Sequence, residues 1–96
     1  MPAEAPARPE LDREALERLL PPYRVVLHND DVHTMEYVVR ALLRAVPRLS
    51  RPEARRIMLE AHHTGSATVI VCPKEEAELY RDRLQSYGLT ATIEPV

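Results

Sequence analysis

Between Val25 and Val46 the hydrophobic pattern changes period once, and it does so across three adjacent polar residues, Asn29, Asp30 and Asp31. Upstream, Val25-Val26-Leu27 is a continuous apolar run, the signature of a strand central in a sheet and covered by helices. Downstream, apolar residues recur at Met35, Val38, Val39, Leu42 and Val46, the stripe of an amphipathic helix. A chain with this feature has to place a strand end, a tight polar turn and a helix start within a few residues of one another. The turn offers three adjacent side chains that accept hydrogen bonds, two of them as anions, at a connection that faces solvent. Met35 and Val38 share a helix face just behind it. An anionic mouth beside a soft apolar wall suits a ligand with a cationic end and a greasy side chain, such as the first residue of a peptide.

The remaining elements follow from punctuation. Tyr23 to His28 reads as the first strand, and Thr34 to Val46 as a helix closed by Pro47. Ser50-Arg51-Pro52-Glu53 then opens a second helix: the Ser hydroxyl can accept from the Glu53 amide, Glu53 can accept from the Ser50 amide, and Pro52 lies where its missing N–H costs little. That helix runs to about His63 with Ala54, Ile57, Met58 and Ala61 inward, and Thr64-Gly65 stops it. Ala67 to Cys72 is a second apolar strand. Pro73 opens a third helix whose first turns carry Glu75, Glu76 and Glu78, as the helix dipole favours, with Ala77, Tyr80 and Leu84 on one side and an end near Gly88. Leu89 to Glu94 alternates as a half-buried last strand. The expected order is β-α-α-β-α-β: a small α+β domain with three helices on one face of a three-stranded antiparallel sheet. Ahead of it, Met1 to Pro9 is Ala-, Pro- and Glu-rich and is expected to be disordered, and Glu10 to Leu20 could form a short helix. Pro21-Pro22 separates this stretch from the rest, so residues 1–22 are read as a flexible extension and residues 23–96 as the folded domain.

Composition narrows the function classes. Ninety-six residues make one domain with a modest core, built from Leu, Val, Ile, Ala and Met because Phe and Trp are absent. The formal net charge of −2 argues against a general nucleic-acid binder. A single cysteine, Cys72, fits a reducing compartment and rules out an internal disulfide. No run approaches the ~20 apolar residues of a membrane-spanning helix, and no signal-peptide core is visible, so a cytoplasmic location without membrane contact is expected.

Several chemical readings fall away. Two glycines, Gly65 and Gly88, leave no Gly-rich phosphate loop. Cys72 closes an apolar strand and reads as a buried thiol rather than a nucleophile. His28, His33, His62 and His63, with Asp30 and Asp31, are metal-ligating types, but their spacing matches no standard motif and the adjacent His62 and His63 cannot share a helix face. Neither a metal nor a cofactor is expected. Arg40 and Arg44, and Arg51 and Arg55, form rows one turn apart, with Arg48 and Arg56 beside them. They read as solvated faces ahead of an RNA or acidic-partner patch, and no aromatic residue interleaves with them.

Three segments in collinear order, Leu27-His28-Asn29-Asp30-Asp31, Met35-Glu36-Tyr37-Val38-Val39 and Met58-Leu59-Glu60-Ala61-His62-His63-Thr64-Gly65, resemble the ClpS family. Its members are adaptors that bring N-degron proteins to the ClpA or ClpC unfoldase of the ClpAP-type protease. The resemblance implies a binding module and not an enzyme. It implies that Asn29, Asp31 and His62 hold the α-amino group of the substrate, with Asp30 helping to shape the site. Met35, Val38, Met58 and Leu89 would line a pocket for a first side chain that is Leu, Phe, Tyr or Trp. The physics agrees. An α-ammonium has three donors and one charge, which an amide oxygen, a carboxylate and a neutral imidazole can satisfy together, and deformable Met walls accept both aliphatic and aromatic side chains. The resemblance further implies that Glu75 docks the unfoldase N-domain, with Tyr80 standing where a Lys is usual, that the N-terminal extension is engaged during delivery, and that the protein acts as a monomer. Where the family has Thr-Pro ahead of Met-Glu, this chain has His33-Thr34, so the cap of the first helix passes to Thr34 or to Asp31. The alternative function, from another class, is a protein- or RNA-binding module working through the Arg faces.

Overall fold

The computed structural model describes residues 20–96. The helix expected over Glu10–Leu20 and nearly all of the extension over residues 1–22 lie outside the described residues.

The apolar run Val25-Val26-Leu27 forms the middle of β1 (Pro22–His28), the central strand of a three-stranded antiparallel sheet. It pairs with β2 (Ser66–Pro73) on one side and β3 (Ala91–Pro95) on the other. Between them in the chain come α1 (Met35–Ala45), α2 (Arg51–Thr64) and α3 (Lys74–Ser86), so the order is β-α-α-β-α-β as the pattern predicts. Val25 and Leu27 point into the core beneath the helices, where they meet Leu42, Val46, Ile57 and Leu84, all 0–1% exposed. Each such side chain contributes about 1.5–3 kcal/mol by leaving water. Among the described residues no polar or charged residue is buried.

Four details differ from the sequence expectation. Pro22 already pairs, with Pro73, so the strand starts one residue earlier than Tyr23. β1 and β2 shift register between Val25 and Val26, whose partners are Ile70 and Thr68, and Val69 is the extra residue. This bulge changes the phase of β2, which is how Ala67, Val69 and Cys72 all come to be buried on one strand. Leu89 is not yet strand: its amide donates to the Leu84 carbonyl at 3.2 Å, closing the end of α3, and β3 begins only at Ala91. Tyr80 is corrected as a docking residue. With Ala77 and Leu84 it occupies the inward face of α3, is 6% exposed and sends only its hydroxyl outward, to Glu76 at 3.2 Å. Glu75 is exposed.

Helix ends are set by local chemistry. Ser50 and Glu53 form the expected reciprocal cap, with the Ser50 amide donating to Glu53 Oε1 at 2.8 Å and the Glu53 amide to Ser50 Oγ at 3.2 Å. Gly65 ends α2 at φ 97°, a left-handed conformation that a side chain would resist, and its amide donates to the Ala61 carbonyl at 2.9 Å. Thr34 caps α1 by accepting from the Tyr37 amide at 3.1 Å, which decides between the two expected caps. No described helix is long and apolar enough to cross a membrane.

Candidate functional site

Four chain segments meet beyond the C-terminal end of β1. The strand delivers Leu27 and His28, the turn delivers Asn29 and Asp30, and α1 starts at Met35 on the far side. The end of α2 is brought to the same place by the sheet. His28 pairs with Ser66, the residue after the Gly65 cap, and the Asn29 amide donates to the Gly65 carbonyl at 2.9 Å. This backbone bond ties the turn to the last turn of α2, which carries His62.

A cleft open to solvent lies between these segments. It is lined by Leu27, His28, Asn29, Asp30, His33, Met35, Val38, Met58, Ala61 and His62. The lining is divided. Asn29, Asp30 and His62 are the polar part on one side, whereas Val38, Met58 and Ala61 are at most 9% exposed and form an apolar floor. Met35, at the first position of α1, is 47% exposed and adds a flexible thioether side chain to the same lining.

Six of the eight residues expected to bind the amine or the side chain therefore border one cleft: Asn29, Asp30, His62, Met35, Val38 and Met58. Asp31 and Leu89 do not line it. Asp31 is exposed beside it, and its Oδ1 accepts from Asn29 Nδ2 at 3.1 Å, so the amide and the carboxylate orient each other. Leu89 is buried in the core, 3% exposed, held back by its bond to α3. Leu27, His28, Ala61 and His33 join the lining without having been singled out for it.

The two carboxylates of the turn are not equivalent. Asp30 faces inward: Oδ1 accepts from the amides of Val32 at 2.7 Å and His33 at 2.8 Å, and Oδ2 accepts from the His33 ring at 2.7 Å. Burial pushes the Asp30 carboxyl up, but the His33 amide and ring and the Val32 amide together outweigh burial and hold it below its ordinary value. Asp30 is the keystone of an Asx turn. Asp31 engages the turn through Oδ1 alone, in its bond from Asn29.

His33 was read only as a departure from the usual pattern and as one of the metal-ligating types. Its spacing carried the signal: three residues after Asp30 and four before Tyr37, it can reach both. Among the described residues no group of three or more His, Cys, Asp or Glu side chains is placed to hold a metal ion. The arginines Arg40, Arg44, Arg51, Arg55 and Arg56 are exposed, and Arg48 pairs with Glu76 at 3.2 Å.

Comparison with known proteins bears on this arrangement. A family model described as ATP-dependent Clp protease adaptor protein ClpS matches residues 19–92. The ATP-dependent Clp protease adapter protein ClpS of Synechococcus elongatus is 51% identical over 78 residues, covering 81% of this chain and 82% of that one. Its counterpart from Gloeobacter violaceus is 46% identical over 86 residues, covering 88% and 92%. The structure of Agrobacterium tumefaciens ClpS2 bound to L-phenylalaninamide superposes with a TM-score of 0.74 at 35% identity, covering 79% of this chain and 98% of that chain.

Proposed function

The chain belongs to the ClpS family of ATP-dependent Clp protease adaptor proteins, and from that premise we propose that it is an N-degron adaptor. It takes the free α-amino group and the first side chain of a protein substrate into the cleft beyond β1 and hands the substrate to an unfoldase of the ClpA or ClpC type. The observation that carries the reading is the divided lining, with an amide, a carboxylate turn and an imidazole on one side and Val38, Met58 and Ala61 as the apolar floor. L-phenylalaninamide, bound by the Agrobacterium relative, has the same two parts, an amine and a bulky apolar side chain.

In this reading Asn29 Oδ1, an Asp31 oxygen and a His62 ring nitrogen accept hydrogen bonds from the three ammonium N–H groups, while the side chain of Leu, Phe, Tyr or Trp displaces water from the floor below Met35. A cation drawn partly out of water is tolerated only with such partners, because leaving it unpaired costs several kcal/mol. Asp30 shapes the site. Glu75, exposed near the start of α3, serves the unfoldase N-domain, and residues ahead of Pro22 form the extension that the unfoldase engages. The adaptor acts as a cytoplasmic monomer and catalyses nothing itself.

Delivery tests this reading. With a ClpA- or ClpC-type unfoldase and its peptidase present, the protein should accelerate degradation of a folded reporter that begins with Leu. The same reporter with an acetylated terminus should be spared. Equal degradation of both, or no acceleration of either, would remove the adaptor reading.

A further inference from the structure

The His33 side chain makes three separate contacts. Its Nδ1 donates to Asp30 Oδ2 at 2.7 Å; since an ionised carboxylate only accepts, the ring carries the proton at that position. Its ring lies on Tyr37, centroids 4.6 Å apart and planes 13° from parallel. Its far edge abuts the backbone at Gly88, where a built Cβ would come within 3.3 Å of both Cε1 and Nε2. Tyr37 in turn donates its hydroxyl to the Tyr87 carbonyl at 2.6 Å. The turn after β1, the first turn of α1 and the turn after α3 are thus joined through one imidazole.

We infer that His33 is a positioning residue of the candidate site: stacked on Tyr37 and abutting Gly88, it holds Asp30 inside the turn, so that Asn29 is turned to the cleft and Asp31 stands exposed beside it. Without the ring, Asp30 Oδ2 loses its partner while the side chain remains only 10% exposed. An ionised oxygen in that position has to turn outward to find water. The turn then rearranges, and Asn29, paired with Asp31 at 3.1 Å, loses its fixed orientation.

The test uses the full chain with two substitutions. His33→Phe keeps an aromatic ring against Tyr37 and removes the donor, and His33→Asn restores a donor near the Nδ1 position. The first readout needs no ligand: the Asp30 carboxyl is titrated by NMR. In His33→Phe its midpoint should rise from its depressed position towards the ordinary 3.8, and in His33→Asn it should fall back. The second readout rests on the adaptor reading. Affinity for a peptide beginning with Leu should drop about tenfold in His33→Phe, the loss expected for one charge-assisted hydrogen bond, and recover to within about threefold in His33→Asn. An Asp30 midpoint unmoved in His33→Phe, or a loss of affinity that His33→Asn does not recover, would overturn the inference. If the wild-type chain does not distinguish free from acetylated Leu, the adaptor reading fails, and the carboxyl titration still decides the role of His33.

Discussion

Two neighbouring carboxylates do different work because of where their oxygens point. Asp30 spends both oxygens on the turn, and Asp31 shares one oxygen with Asn29. Asp31→Ala should therefore leave the thermal midpoint within a degree or two while weakening a Leu-initiated peptide by roughly 1.5–3 kcal/mol, measured by calorimetry. Asp30→Ala should lower the thermal midpoint as well, since it strips the turn of its acceptor. The Asp30 carboxyl is depressed in the folded state, so its stabilising contribution is present above the ordinary value of 3.8 and is lost as pH falls through the lower folded value. The protection of the Val32 and His33 amides against exchange, relative to their intrinsic rates, should be lost in that acid window and kept above it. Gly88 is the other residue-scale constraint: at φ 84° and against the His33 ring, Gly88→Ala meets both backbone strain and a close contact. It should cost about 1–2 kcal/mol in a denaturant titration. At this scale the sequence showed which residue types gather after β1. It did not show that Asp30 turns inward, because that depends on a histidine ring held from two other segments.

Elements were legible wherever their boundaries are local. The reciprocal cap of α2, its Gly65 stop and the apolar centre of β1 all rest on residues a few positions apart, and the structure has each of them. Glu53 is held below its ordinary 4.5, first by the Ser50 amide and then by the Ser50 hydroxyl. The same sign applies as for Asp30: the cap supports α2 above that value and is lost as pH falls through the lower folded one. Ser50→Ala removes the acceptor of the Glu53 amide and should destabilise the protein by about 1 kcal/mol, as followed by circular dichroism. The boundaries that were misplaced are those set by tertiary partners. Leu89 alternates like a strand residue, yet its amide closes α3. Val69 sits in an unbroken apolar run, and only the pairing with β1 reveals a bulge. Tyr80 stands where a docking side chain was expected, and its spacing from Ala77 and Leu84 turned it into the core.

Over the whole molecule the cleft is a product of topology. A central strand ends between the start of one helix and the end of the next, and the pairing of β1 with β2, extended by the backbone bond from Asn29 to Gly65, holds the two polar clusters, thirty-odd residues apart in sequence, to one cleft. The order of elements was readable from periodicity and the meeting of Asn29 with His62 from family resemblance, but no local pattern predicted the volume between them or excluded Leu89 from its wall. The cleft stands on the core that Leu42 and Ile57 help to fill. Leu42→Ala should therefore cost about 2–5 kcal/mol of stability, with a smaller proportional change in affinity among the molecules that remain folded.

The measurement that bears most directly on the account is calorimetric binding of two peptides identical except at the terminus, one beginning with free Leu and the other with acetylated Leu. The account predicts saturable one-to-one binding of the free peptide, abolished by acetylation and reduced at least tenfold by His62→Ala. Equal binding of the two peptides, or affinity for the free peptide untouched by His62→Ala, would contradict it.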